Sequence, residues 1–418
     1  MNITEIHRLY LKNPIICTDT RDVQENAIFF ALKGTKFNGN VFAKTAIQKG
    51  CRYAIIDDKN IKHKNCILVK DVLSTLQKLA KYHRKQYNIP VIGLTGTNGK
   101  TTSKELVAHI LMTKYNCIAT QGNFNNHIGV PLTILRIKEN TDIAVIEIGA
   151  NHVGEIDFLC NIACPTHGSI TNIGRAHLDG FKSSKGVLKA KAELYHYLNN
   201  NNGVCFINND DKILKNIDCH IEQISYGKTG ACLGKIENIT PFMQLKYKQH
   251  IINSNLIGSY QFYNIMLAIC ISSYFKIPTK DIKKAIQNYA PKNNRSQIIK
   301  TDYNLIIADA YNANPSSMIE MLKSFCKQQY ENKLCILGDM LELGKASKNE
   351  HKIIRQFVKK QNINTIFIGE NFYLPNDEMS FIDKSEFIEH IQEAPIKNHT
   401  ILLKGSRGLQ LEELITNL

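Results

Sequence analysis

The chain has 418 residues, 43% hydrophobic and 21% charged, with a formal net charge of +15. This length allows two to four domains with cores of their own, and the composition is globular rather than fibrous or disordered. No apolar run reaches the roughly 20 residues of a membrane-spanning helix, and Met1–Glu5 has neither the basic flank nor the apolar centre of a secretion signal, so a cytoplasmic protein without a membrane span is expected.

The 12 cysteines, Cys17, Cys51, Cys66, Cys117, Cys205, Cys270 and Cys335 among them, lie mostly in apolar strings and read as reduced core residues. Cys160 and Cys164 have no second pair at metal-site spacing, which argues against zinc. Lysines are spread along the chain without a dense basic block or interleaved aromatics, a pattern that suits polyanionic small substrates better than nucleic acid.

In chain order, the first domain (1–87) alternates short strands with turns. Asn26–Leu32, Tyr53–Asp57 and Ile67–Val69 read as buried strands, Phe42–Gln48 as a helix, and Asp71 as the cap of a helix through Leu76, Leu79 and Ala80. Two turns, Cys17–Arg21 and Lys33–Gly39, are either anion-binding loops or only solvated turns. Tyr87–Pro90 is a linker into the second domain (88–292).

That domain opens with the pattern around which the chain is organised. An apolar strand from Val91 ends in Thr95-Gly96-Thr97-Asn98-Gly99-Lys100-Thr101-Thr102, and a helical period continues through Leu106, Val107, Ile110 and Leu111. Such a loop cradles polyphosphate with backbone N–H groups and a helix N-terminus, its lysine reaching the terminal phosphates and its threonine offering a hydroxyl to Mg²⁺. The strict motif has glycine where this chain has Leu94, with Gly93 one residue earlier. Thr120–Pro131 is polar and amide-rich, unlike a core segment. Ile143–Ala150 is a buried strand carrying Glu147, which needs a cation partner there, either Mg²⁺ or a structural salt bridge. Gly168–Ile173 is a further strand, with His177 just past its end. Ser183 or Ser184 starts a helix that carries Lys189, Lys191 and Glu193, for which a solvated charged face is the plain reading. The segment from Asn255 to Asn264 leads into an apolar helix, Ile265–Tyr274.

The third domain (293–418) has strands at Leu305–Ala308, Leu334–Leu337, Thr365–Gly369 and Thr400–Leu403, with a helix capped by Ser316 after the first. Strands that alternate with helices and end in polar clusters predict an open, doubly wound α/β sheet with a site at its rim.

Together these clusters resemble the Mur ligase family. GTNGKTT at Gly96–Thr102, Glu147 in EIGAN, ITNIGRAH ending at His177 and KAKAELY containing Lys191 are similar to its landmarks. TDTR at Thr18–Arg21, FFALKG at Phe29–Gly34, GNFNNHIGVP at Gly122–Pro131, DAYNANPSSM at Asp309–Met318, LGDMLELG at Leu337–Gly344 and KGSRG at Lys404–Gly408 resemble the members that add D-alanyl-D-alanine to a UDP-N-acetylmuramoyl-tripeptide. The family often has His-Asn where Tyr260-Gln261 stand, and Asp-Gly where Asn38-Gly39 stand.

The resemblance implies a three-domain ligase of cell-wall precursor synthesis, expected as a monomer. A small α/β N-terminal domain would bind the UDP substrate through Asp19, Thr20, Arg21, Lys33, Gly34 and Asn38. A central domain with a parallel or mixed sheet would bind ATP, and a Rossmann-like domain would close over it. Thr95 to Thr102, Asn264, Arg295, Asp309 and Asn312 would contact nucleotide. Thr101, Glu147, His177 and a carbamylated Lys191 would serve Mg²⁺, with Lys100, Glu147, His177 and Lys191 as the catalytic set. Asn123, Asn125, Asn126, Tyr311, Asn314, Lys404, Ser406 and Arg407 would contact the peptide substrates.

Overall fold

The computed structural model describes residues 1–176 and 178–418. Among these the strands form three sheets, of four, nine and six strands, taken up in chain order.

The first sheet is parallel, in the order β1 (Ile16–Cys17), β2 (Ile28–Phe30), β3 (Tyr53–Ile56), β4 (Cys66–Leu68). The two-residue period of a strand sorts its side chains. Ile28, Phe30 and Ile55 face a core shared with the second domain's helices, while Phe29, Ala31 and Ala54 face a smaller one. The segment expected as a third buried strand is instead this sheet's edge, with Leu68 51% exposed. Asp71 caps the Val72–Arg84 helix as expected, its carboxylate accepting from the Ser74 N–H at 2.6 Å, a contact that contributes about 1 kcal/mol.

The second sheet has the order β13-β12-β11-β10-β9-β8-β5-β7-β6. Its strands are β5 (Val91–Thr95), β6 (Cys117–Ala119), β7 (Ile143–Glu147), β8 (His167–Ile170), β9 (Val204–Asn208), β10 (Glu222–Gly227), β11 (Cys232–Asn238), β12 (Gln244–Tyr247) and β13 (His250–Asn253). The strands from β6 across to β11 run parallel; β11, β12 and β13 form an antiparallel meander. Helices Lys100–Leu111 and Gln261–Tyr274 cover one face, Glu155–Ala163 and Ser184–Asn200 the other. Burial on both faces explains why β5 and β7 read as unbroken apolar runs. Strands β9 to β13 did not stand out in the sequence; β10 to β13 are half exposed and carry no unbroken apolar run.

The third sheet, β14 (Gln297–Lys300), β15 (Leu305–Ala308), β16 (Lys333–Gly338), β17 (Asn364–Ile368), β18 (Ser380–Phe381) and β19 (Thr400–Lys404), has the order β14-β15-β19-β16-β17-β18, with β14 alone antiparallel. This is the predicted doubly wound sheet with two short edge strands added. The helix after β15 starts differently from the expectation. Asn314, not Ser316, is its cap, with Pro315 in the first turn and Ser317 returning a bond to the cap.

Among the described residues no helix is long and apolar enough to cross a membrane, and all 12 cysteines are free.

Candidate active site

The carboxyl ends of β5, β7 and β8 converge on the loop between β5 and the Lys100–Leu111 helix. The chain turns through Gly96 and Gly99, both at positive φ (137° and 77°). At Gly99 a Cβ would lie 2.4 Å from Asn264 Oδ1, so no other residue fits that approach. Asn264 is spent on holding the wall, accepting from the Ser103 hydroxyl (3.1 Å) and donating to Gln261 Oε1 (2.7 Å). Lys100 folds back over its own loop and donates to the carbonyls of Gly96 (2.7 Å) and Thr97 (2.9 Å). Burial pushes its pKa down; the Glu147 carboxylate opposes that shift and Arg295 adds to it.

Glu147, at the end of β7, is buried. Its Oε1 accepts from Asn125 Nδ2 (2.8 Å) and its backbone N–H bonds Thr120 Oγ1 (2.9 Å). Thr120 is pinned in turn by the buried Lys104 Nζ on its carbonyl (2.9 Å). Glu147 Oε2 is buried and has no partner among the described residues. A desolvated carboxylate oxygen left in this state is costly, and it suits a cation brought in with the ligand. Mg²⁺ fits the donors. It takes one or two hard oxygen ligands from protein and the rest from phosphate and water, and the Thr101 hydroxyl and the Glu147 carboxylate offer oxygens of that kind. No ready-made cluster of three His, Cys, Asp or Glu side chains stands among the described residues. His177 lies outside them.

Lys191 corrects the reading of its helix as a solvated face. It points inward at 2% exposure, its ammonium 5.4 Å from the Phe181 ring centre. Burial first, then the charge of Lys100, lowers its pKa to about 7 against the opposing pull of Glu155 and Glu193. A lysine so placed is in part a neutral amine near neutral pH, the form that reacts with CO₂ to give a carbamate.

Across from this wall stands the rim of the third sheet. Asp309 accepts from the Ser296 N–H (2.9 Å) and pairs with the buried Lys404 (2.6 Å). The Lys404 charge is therefore committed to Asp309. Tyr311 is stacked by the guanidinium of Arg295 at 3.7 Å, with Arg407 5.7 Å from the same ring. Between the two walls lies a cleft of about 970 Å³. It is lined by Thr97 to Thr102, Asn123, Asn125, Asn126, Glu147, Asn264, Arg295, Asp309, Tyr311, Asn312, Asn314, Lys404 and Arg407, a set drawn from segments 200 residues apart in sequence.

Not every expected residue reaches it. Thr95 and Gly96 are not part of its lining, and Ser406 turns inward, accepting from the Leu341 N–H (2.8 Å). Asn126 does line it, with its Oδ1 taken up by the Ile128 and Gly129 N–H groups. The N-terminal residues lie outside the cleft. Asp19 pairs with Arg21, the Thr20 carbonyl accepts from Lys49 (2.8 Å), Lys33 pairs with Asp57 (2.8 Å) and Asn38 caps a short turn. Conversely, Asn208, Asp210, Asp211 and Tyr263 line the cleft and were not foreseen. Their signal was present, since Asn208-Asn209-Asp210-Asp211 follows apolar Val204–Ile207, the same polar end to a buried strand that singled out Glu147.

A glycine-turn phosphate loop facing a second α/β lobe across a deep polar cleft defines a phosphate-loop nucleotide-binding protein of two-lobed design. The chain matches the models of the Mur ligase family catalytic domain over residues 14–94, the Mur ligase middle domain over 94–272 and the Mur ligase glutamate ligase domain over 294–407. It belongs to the Mur ligase family. It is 34% identical to the UDP-N-acetylmuramoyl-tripeptide–D-alanyl-D-alanine ligase of Bacillus subtilis, over 100% of this chain and 97% of that one. Its fold superposes on MurF from Acinetobacter baumannii with a TM-score of 0.86 at 29% identity, covering 96% and 92% of the two chains. The MurF ligase of Thermotoga maritima, solved in complex with ADP, shares the fold at a TM-score of 0.82 and 23% identity, covering 97% of each chain.

Proposed function

We infer that this chain is an ATP-dependent ligase that joins D-alanyl-D-alanine to UDP-N-acetylmuramoyl-tripeptide, giving the pentapeptide, ADP and phosphate. The observation that carries the reading is the cleft, where the phosphate loop and Glu147 face Asp309, Tyr311 and Arg407. The full-length likeness to ligases of that name supports the choice of substrates.

A carboxylate oxygen of the tripeptide attacks the γ-phosphorus of ATP, and the bond to the β-phosphate oxygen breaks to release ADP. The dipeptide amine then attacks the carbonyl carbon of the acyl phosphate, phosphate leaves, and the nitrogen loses its proton. Lys100 swings from the loop carbonyls onto the phosphates and, with the loop N–H groups, neutralises charge on the transferring group. When bound, Mg²⁺ would be held by Thr101 and Glu147, with His177 and a carbamylated Lys191 at a second position, and would supply charge neutralisation between the phosphates. Asp309, Asn312 and Arg295 hold nucleotide; Arg407 and Tyr311 receive the dipeptide. The polar loops of residues 1–87 grip the UDP end, far from the chemistry. Residues 88–292 and 293–418 act as the two lobes, and their approach keeps water from the acyl phosphate. We read the protein as a cytoplasmic monomer; one chain supplies both walls of the cleft, so no second copy is needed to complete it.

The test is phosphate release from ATP with UDP-N-acetylmuramoyl-tripeptide, with and without D-alanyl-D-alanine, and the product identified by mass. Release requiring both peptides, with a pentapeptide product, is the expected result. Release indifferent to the dipeptide would leave only a phosphate-loop ATPase.

A further inference from the structure

The two lobes are joined at the phosphate loop itself by residues whose side chains face each other rather than a ligand. Asn314 donates from Nδ2 to Asn98 Oδ1 at 2.7 Å, while its Oδ1 accepts from the Ser317 N–H at 2.9 Å as the helix cap. One N–H and one lone pair of the carboxamide are thereby committed. Asn98 is itself fixed from the central lobe. Its N–H bonds Asn172 Oδ1 (3.1 Å), and its carbonyl accepts from Thr171 Oγ1 (2.6 Å) and Asn172 Nδ2 (2.9 Å). The segment that follows is stapled on both sides. The Gly174 N–H bonds Thr97 Oγ1 (2.9 Å) in the phosphate loop, and the Arg175 N–H bonds Ser316 Oγ (2.9 Å) in the other lobe. A Cβ on Gly174 would come within 2.9 Å of Ser316 Oγ, so the lobes touch here without space for a side chain. Beside this seam Arg175 pairs with Glu350 (2.8 Å), a buried carboxylate of the third domain whose second oxygen has no partner among the described residues.

We propose that Asn314 and Ser316 are positioning residues that report the state of the phosphate loop to the third domain, so that the lobes seat fully only when Thr97 and Asn98 hold their loaded geometry. The inference rests on the ligase reading. It adds a role for Asn314 to the expected dipeptide contact, one N–H and one lone pair of its amide being already spent on the seam and the cap. The physical reason is that one loop cannot shift Asn98 without breaking the bond that seats the opposite lobe. Glu350, buried and paired with Arg175, penalises a partly open state in which that pair is lost. Phosphate-loop order and lobe seating thus become one equilibrium.

The test separates seating from folding and from binding. Asn314→Ser keeps a capping oxygen for the helix but is too short to reach Asn98, and Ser316→Ala removes the acceptor of the Arg175 N–H. In the double variant, affinity for a non-hydrolysable ATP analogue should fall up to about tenfold, the range of a typical coupling between sites, because both lobes hold the nucleotide, and pentapeptide formation at saturating ATP should fall as well. The distinguishing readout is the ratio of ADP released to pentapeptide made. The variant should release several ADP per product because its acyl phosphate meets water, whereas the unmodified enzyme releases one. A ratio that stays at one overturns the proposal, whether the rate is normal or has fallen together with the melting temperature. If the unmodified enzyme makes no pentapeptide, the ligase reading fails instead, and the ADP ratio is not the deciding result.

Discussion

The phosphate-loop wall and the N-terminal turns hold their charged residues in opposite ways. Around the loop, Glu147 and Lys191 are buried and Lys100 is half-buried; Lys100 is held by loop carbonyls, Glu147 by an amide, and the Lys100 charge helps to lower the pKa of Lys191. In the N-terminal domain, Asp19 and Arg21 pair with each other in solvent, and Lys33 reaches Asp57 from a half-exposed position. A reacting centre must be fixed and dry before its substrate arrives, since charge stabilisation is strong only where dipoles need not reorganise. A grip on the far end of a long substrate needs only complementary charge, and exposed side chains can supply that.

This contrast can be broken by mutation, most severely at the buried side. Lys100→Met should lower turnover about 10³-fold, as loss of a preorganised transition-state donor does. The melting temperature should hold or rise, because a desolvated charge has been removed. ADP release and a thermal melt on the same preparation check both, and a strongly destabilised variant would make Lys100 structural. Glu147→Gln should cost about 10²-fold in turnover and move the Mg²⁺ dependence to higher concentration, since the unpartnered oxygen is no longer anionic. An unchanged Mg²⁺ titration would remove Glu147 from the metal.

Arg21→Ala should act on the other side only. The KM for the UDP substrate should rise about fivefold with kcat unchanged, the signature of lost ground-state binding, and the melt should not move. A fall in kcat would mean that the N-terminal loops reach the chemistry after all.

The smallest effect concerns a buried histidine pair beneath the N-terminal sheet. His83 faces the Ile137 carbonyl through Nε2 (2.9 Å) and His7 Nε2 through Nδ1 (3.0 Å). Its Nε2 therefore carries the proton and donates to that carbonyl, and its Nδ1 accepts from His7. Burial pushes the His83 pKa down to about 4, with the Ile137 carbonyl opposing and His7 adding to the shift. The unfolded chain, titrating near 6.5, binds more protons between those values, so this contribution is full above about 6.5 and is lost as pH falls toward 4. The melting temperature should drop by about 5 °C across that window, while Lys100 and Glu147 variants should show the same slope. A melting profile flat from pH 7 to 4.5 would rule out the neutral pair.

Much of the site was legible because strand ends announce themselves. Thr95–Thr102, Glu147 and Asp309 each follow an apolar run with an abrupt polar cluster, and the sheet directs such clusters to one rim. Asn125 lay in a segment recognisable as too polar for a core, though nothing local said that its amide would orient Glu147. Lys191 shows the limit. The periodicity placed it on a helix, but whether that face met solvent or the Phe181 ring depended on packing against Glu155–Ala163 and β8. Asn314 was singled out as a site residue, yet its partner is 216 positions away, and only that partner showed what its amide does.

The sequence by itself determined the strand–loop–helix at Gly96–Thr102, the cap at Asp71, the alternation that makes the third domain doubly wound, and the family. Each of these rests on interactions within a few residues. Tertiary structure decided which charges are desolvated, which amides are spent on structure and where the lobes meet, because each of these depends on neighbours that only the fold brings within a few ångströms.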